Sequence, residues 1–215
     1  MHRAPRTYIR GAFCLVAVVT TGIVLAAGLS RRMGRPKLLL DLRGKPVIRH
    51  TVERLVAAAD MDEILVVVGP DHASLERALD GLGVRLVVNP VPETGQGSSV
   101  SAGVQALSAR TTAALIALGD QPGIAVDVIR KLRAALETPG KSIAAPRYAD
   151  GLGNPVIFAA AVFPELAALP GDRGARAVVE RDPGRLAVVE VASAMPSDLD
   201  TPEDYERLSA SDNSR

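Results

Sequence analysis

Thr21 to Lys37 reads TGIVLAAGLSRRMGRPK, and this stretch decides the fold. Gly22 to Ala27 has the continuous apolar character of a short buried strand. Gly28, Ser30, Arg31, Arg32, Gly34, Arg35 and Lys37 follow as a glycine-punctuated, strongly basic loop. Glycines let backbone N–H groups approach an anion closely, and the cations offset its charge, so a strand feeding such a loop suits phosphate. The spacing is not that of an ATPase P-loop, which has four residues between its glycines followed by Lys-Ser/Thr. Here five residues separate Gly28 from Gly34, and Arg35 follows. Nor is it a dinucleotide fingerprint, since no third glycine falls at the required place.

Working outward, apolar runs alternate with helix-period segments. Strands are expected at 63–69, 84–88, 113–118, 142–145, 154–158 and 186–191. Between them Ile48, Val52, Leu55, Val56 and Ala59 recur at helical spacing, as do Val126, Ile129, Leu132 and Leu136. Asp71 is placed to cap a helix, and Pro202 falls in the first turn of a terminal one. The pattern predicts an α/β fold: a Rossmann-like, mostly parallel sheet with helices on both faces. Ligands of open α/β sheets sit at the carboxyl ends of the strands. The loops holding Lys37, Gly97 and Asp120 are therefore expected to meet.

Composition narrows the function. The 215 residues suit one domain, and 47% hydrophobic content supports a full core. A net charge of +1 with 3% aromatics gives no support to nucleic-acid binding. The single cysteine, Cys14, excludes an intrachain disulfide and a Cys-cluster zinc site. His2, His50 and His72 are scattered, and no pair has metal-ligand spacing. Ser101 stands where a G-x-S-x-G elbow would need glycine. Residues 1–11 are basic and residues 12–29 almost wholly apolar, which mimics a signal peptide or a membrane span. Cleavage near Ala27 would remove the strand that presents the loop. Residues 1–20 are accordingly read as a dispensable extension, 21–208 as one domain and 209–215 as a polar tail, with no stable membrane insertion and a cytoplasmic location.

Leu25 to Lys37 resembles, at every fixed position, L-A-A-G-x-S-x-R-M-G-x-x-K, the opening signature of the MobA-like molybdenum-cofactor nucleotidyltransferases. Gly119-Asp120-Gln121-Pro122 resembles the D-x-P element of that family, Asp198 to Asp204 its closing D-x-D-T-P-E-D element, and Gly95 to Ser99 its second substrate loop. Gly153-Asn154-Pro155-Val156 and Gly171 to Arg176 are similar to elements of the cytidylyltransferase branch, which often has His where Asn154 stands.

The resemblance implies a nucleotide-diphospho-sugar transferase (GT-A-like) domain and a Mg²⁺-dependent transfer of CMP from CTP to molybdopterin or molybdenum cofactor. It also implies hand-off to a molybdenum hydroxylase. Leu25, Ala26, Ala27, Gly28, Ser30, Arg31, Gly34, Gly97, Ser98 and Ser99 are the implied nucleotide-binding residues. Lys37, Arg32 and Asp120 are the implied catalytic residues, and Asp120 and Asp200 the metal ligands, with Asp198 and the acceptor-side Arg173 and Arg176 as further candidates. Each position has a plainer reading. Asp120 could cap a turn, Asp200 or Thr201 could cap the last helix, and Ser98 or Ser99 could cap another. The guanylyl branch, a nicotine blue oxidoreductase-like NAD(P)H-dependent reductase and a non-catalytic nucleotide-binding module remain as alternatives.

Overall fold

The computed structural model describes residues 18–28, 33–171 and 173–210. In chain order its elements are β1 (Thr20–Leu25), β2 (Asp41–Leu42), β3 (Lys45–Pro46), α1 (Val47–Ala58), β4 (Glu63–Val68) and α2 (Ala73–Ala78). There follow β5 (Arg85–Val88), α3 (Gln96–Gln105), β6 (Ala113–Leu118), α4 (Val126–Ala135), β7 (Ile143–Tyr148) and β8 (Gly151–Leu152). β9 (Val156–Ala159), α5 (Phe163–Ala167), α6 (Arg176–Arg181), β10 (Leu186–Glu190) and α7 (Pro202–Ala210) complete the chain.

The main sheet runs β10-β7-β9-β6-β1-β4-β5, with β8 pairing β7; β2 and β3 form a separate hairpin. β1 pairs in parallel with both β4 and β6, β4 with β5, and β7 with β10. β9 lies antiparallel between β6 and β7. The mostly parallel sheet is as expected. The reversed strand is not, because a four-residue apolar run carries no mark of direction.

Successive side chains of a strand point to opposite faces, and the central strands are apolar on both. Val24, Val66 and Leu115 pack into one core with Ile48, Val52 and Leu55 of α1 and Ile129 and Leu132 of α4. Ile23, Val67 and Ile116 enter the other core with Val100 and Val104 of α3, Leu166 of α5 and Val178 of α6. All of these except Ile116 and Val104 are 0% exposed. α3 lies close on the sheet because residue 103 is glycine: a Cβ there would stand 2.7 Å from Ile23 Cγ2.

Parallel pairing of β1 with β6 places Leu25 opposite Leu118. Gly119 N–H then donates to Leu25 O at 2.9 Å, so Asp120 emerges beside the start of the basic loop. No helix among the described residues is long and apolar enough to cross a membrane. Of the apolar run at 12–29, residues 12–17 and 29 lie outside them.

Candidate active site

Lys37 reaches the carboxyl end of the sheet because its successor is anchored. Leu38 is buried in the core beside Ile48, and Lys37–Leu39 forms one turn of 3-10 helix after Gly34, whose φ of +63° favours glycine. The Lys37 ammonium donates to Asp120 Oδ2 at 2.5 Å and to Asp200 Oδ1 at 2.7 Å. These residues lie 83 and 163 positions away in the chain. Burial alone would lower the lysine's proton affinity. The charges and hydrogen bonds of Asp120 and Asp200 outweigh that, and its pKa is raised, so the amine is a cation at any physiological pH.

The cap that Asp200 could have made is made by its neighbours. Asp204 accepts hydrogen bonds from the Asp200 and Thr201 backbone N–H groups, and its own N–H donates to Thr201 Oγ1 at 3.2 Å. This reciprocal cap closes the first turn of α7. The same backbone bonds hold the Asp204 carboxyl below its ordinary pKa. Leu199 fixes the segment: its side chain is 0% exposed against Leu42 and Val47, and its N–H donates to Asp120 O.

A cleft of about 430 Å³ opens beside this triad. Its walls include Leu25 to Gly28, Met33, Gly95, Gln96, Ser99, Asp120 and Asp200. A neighbouring cleft shares Ala26, Ala27 and Gly28 and adds Gly34, Gly69 and Ser74. A third, narrower cavity of about 220 Å³ lies past Leu25, Gln96 and Leu118, with Gln121, Asn154, Arg176, Met195 and Asp198 in its wall. Gln121 is 1% exposed; its amide nitrogen donates to Asp198 Oδ1 at 2.6 Å, and its Oε1 is buried with no partner among the described residues. The protein packed beneath Asp198 and the nearby charge of Asp120 push that carboxyl up, against the pull of Gln121, although its outer surface meets solvent. Tyr148 donates to the backbone carbonyl of the wall residue Asn154 at 3.0 Å; burial, then the Asp150 charge, push its phenol up to about 12.

The structure thus brings together Leu25, Ala26, Ala27, Gly28, Lys37, Ser99, Asp120 and Asp200, with Gly34 in the adjoining cleft. Ser30, Arg31 and Arg32 lie outside the described residues. Gly97 and Ser98 are not in the cleft walls. Gly97 N–H donates to Gly171 O at 2.9 Å, and a Cβ there would come within 2.7 Å of that oxygen. Its smallness admits the carbonyls of Pro170, Gly171 and Arg173. Ser98 Oγ donates to Gly95 O inside its own turn, and no side chain caps α3. Ser99 accepts from Asn89. Asp71 does not cap α2, whose N-cap position is His72. His50 and His72 hydrogen-bond to backbone carbonyls, as structural residues do. Arg173 lies away from these clefts, whereas Arg176 and Asn154 reach the third. Gln96, Gln121, Met33 and Met195 were not singled out from sequence. Gln96, Gln121 and Met33 do sit within motifs that were, so their motif membership was the usable signal.

The donor set fits a divalent cation. Magnesium takes one or two protein carboxylates and completes its shell with phosphate oxygens and water. Asp120 and Asp200 already converge on one cation. Among the described residues no larger His, Cys, Asp or Glu cage exists.

A mostly parallel α/β sheet with a lysine, two convergent carboxylates and a cleft at its carboxyl end suits a transferase that handles nucleotides. Residues 22–186 match the model of the MobA-like NTP transferase domain, and the chain belongs to that family of nucleotidyltransferases. Among relatives, it is 34% identical to the purine catabolism protein PucB of Bacillus subtilis, across 87% of this chain and 94% of PucB. It is 31% identical to the nicotine blue oxidoreductase of Paenarthrobacter nicotinovorans, across 87% and 95%. A probable molybdenum cofactor guanylyltransferase of Thermococcus gammatolerans is 33% identical over 63% of this chain and 66% of its own length. The crystal structure of Rv0371c from Mycobacterium tuberculosis superposes with a TM-score of 0.81 at 36% identity, covering 91% of this chain and 99% of that one. That protein also has a structure in complex with manganese, with a TM-score of 0.78 at 31% identity, covering 90% and 100%.

Proposed function

We propose that the chain transfers CMP from CTP to the terminal phosphate of molybdopterin or molybdenum cofactor, releasing pyrophosphate. The observation that carries this reading is the Lys37 ammonium held at 2.5 and 2.7 Å from Asp120 and Asp200 on the wall of the nucleotide-sized cleft. The triphosphate lies along the Ala27–Gly28 backbone, whose N–H groups donate to its oxygens, while the Ala26 N–H is held by Val67 O within the sheet. The acceptor enters the third cavity, lined by Gln121, Asn154 and Arg176. Leu25, Gln96 and Leu118 border both spaces and set the two substrates end to end.

An acceptor phosphate oxygen attacks the α-phosphorus, and the bond to pyrophosphate breaks. The protein supplies alignment and charge stabilisation rather than covalent chemistry. Lys37 stabilises the negative charge that develops on the α-phosphoryl oxygens. Arg32 adds a second cation from the basic loop. Asp120 and Asp200 would hold Mg²⁺, which when bound neutralises phosphate charge as a Lewis acid. The reaction belongs in the cytoplasm, and the product passes to a molybdenum hydroxylase.

A pyrophosphate-release screen of CTP, GTP, ATP and UTP with molybdenum cofactor as acceptor tests this. Release with CTP and Mg²⁺ only in the presence of acceptor is expected; the absence of release from all four nucleotides would overturn it. The guanylyltransferase relative favours GTP as the second reading. The nicotine blue oxidoreductase relative favours a reductase, for which NAD(P)H oxidation is the discriminating assay.

A further inference from the structure

We propose that Lys37 is the place-holder cation of the carboxylate pair, so that a divalent metal enters this site with the nucleoside triphosphate and is largely refused alone. The part concerning the nucleotide rests on the function proposed above; the competition between lysine and metal does not. Asp120 follows β6 and Asp200 precedes α7, and both carboxylates meet on one ammonium. The Lys37, Asp120 and Asp200 side chains are 14%, 17% and 36% exposed. Two carboxylates in such a setting repel each other unless a cation lies between them. Here the protein supplies that cation itself.

A divalent ion needs the same oxygens, and an ammonium beside it would be strongly repelled. Metal entry therefore requires Lys37 to leave. The frame permits this without collapse. Leu38 and Leu199 are buried anchors that hold the backbone on either side of the site, and the lysine stem is a flexible four-carbon chain. Leaving is unfavourable when nothing else receives the ammonium. A triphosphate in the adjoining cleft provides anionic oxygens that do. The apparent affinity for free metal is then the intrinsic affinity multiplied by the fraction of molecules with Lys37 withdrawn. Nucleotide raises that fraction, and by linkage metal strengthens nucleotide binding by the same factor.

Titration of MnCl₂ into the full chain, with free Mn²⁺ read by electron paramagnetic resonance, tests the proposal. Lys37→Met should bind Mn²⁺ at least about tenfold more tightly than the wild type without nucleotide, which corresponds to a lysine seated about nine-tenths of the time. Adding Asp120→Asn to that variant should abolish the gain. CTP, corrected by a protein-free titration, should tighten Mn²⁺ binding to the wild type several-fold more than to Lys37→Met. Lys37→Gln provides the same reading should Lys37→Met not fold, as judged by circular dichroism. Equal or weaker Mn²⁺ binding by the lysine variants, or an equal effect of CTP on variant and wild type, overturns the proposal. Failure of CMP transfer with this Mn²⁺ pattern intact would remove the proposed function and leave the competition standing.

Discussion

Gly119→Ala is expected to damage both folding and catalysis, and the structure sets the size. A Cβ at residue 119 would lie 2.7 Å from Ile48 Cδ1 and 2.9 Å from Leu25 O, where ordinary contact begins at 3.4 Å. The Ile48 methyl can rotate away. The Leu25 carbonyl cannot, because Gly119 N–H itself holds it at 2.9 Å and β1 pairs on both sides. The strand end must therefore back off by about 0.5 Å, the difference between 3.4 and 2.9 Å. Overpacking of this kind costs about 1–3 kcal/mol. At about 2–4 °C per kcal/mol for a chain of this size, the melting temperature should fall by about 2–12 °C. Asp120 is the next residue and shares the shift. A misplacement of about 1 Å costs about a hundredfold in rate, so half that predicts about a tenfold loss of kcat. Scanning calorimetry and steady-state pyrophosphate release read the two effects. Gly123→Ala is the control, because a Cβ there would meet only Pro196 Cβ, at 3.7 Å. A Gly119→Ala protein with the melting temperature and kcat of the wild type would refute this account of the β1–β6 contact.

Further outcomes follow from the same geometry. Lys37→Ala and Asp120→Ala should fold yet lose on the order of 10²–10³ in kcat, the usual loss for a central charge-stabilising group; wild-type turnover in either removes its assignment. The Asp204 carboxylate, held below its ordinary pKa by the Thr201 and Asp200 backbone N–H groups, should stabilise α7 at neutral pH. That stabilisation is fully present above the unfolded pKa of about 3.9 and is lost as pH falls through the lowered folded value. The melting-temperature gap between wild type and Asp204→Ala should therefore close in strong acid, and a gap independent of pH would contradict the cap. Gln121→Met should raise KM for the acceptor about two- to tenfold, the worth of one hydrogen bond, and leave KM for the nucleotide unchanged; a matching rise in both would take Gln121 out of the acceptor cavity.

Much of the sheet was legible because strands buried on both faces must be continuously apolar, and Ile23-Val24, Val66-Val67 and Leu115-Ile116 each feed two cores. Strand direction was not legible in Val156–Ala159, since four apolar residues read the same either way. The meeting of Lys37 with Asp120 followed from two loops that leave the carboxyl ends of the adjacent parallel strands β1 and β6. The capping question at residues 200–204 stayed open because Asp200, Thr201 and Asp204 are all competent caps. Only the geometry assigns the cap to Thr201 and Asp204 and leaves Asp200 to the lysine. Gly97 shows the opposite limit. A small residue in a motif announces a close approach but not of what, and here it is the Gly171 carbonyl. Gln121 carried no charge or nucleophile to draw notice, and its buried oxygen, unpartnered among the described residues, appears only in three dimensions.

The fate of the α-phosphate tests the central claim most directly. With CTP labelled at the α-phosphorus, Mg²⁺ and molybdenum cofactor, the account predicts label in the acceptor in one-to-one ratio with released pyrophosphate, and both products formed on the order of 10²–10³ more slowly by Asp120→Ala. Label that stays with free nucleotide, or transfer that persists at the wild-type rate without the Asp120 carboxylate, would contradict it.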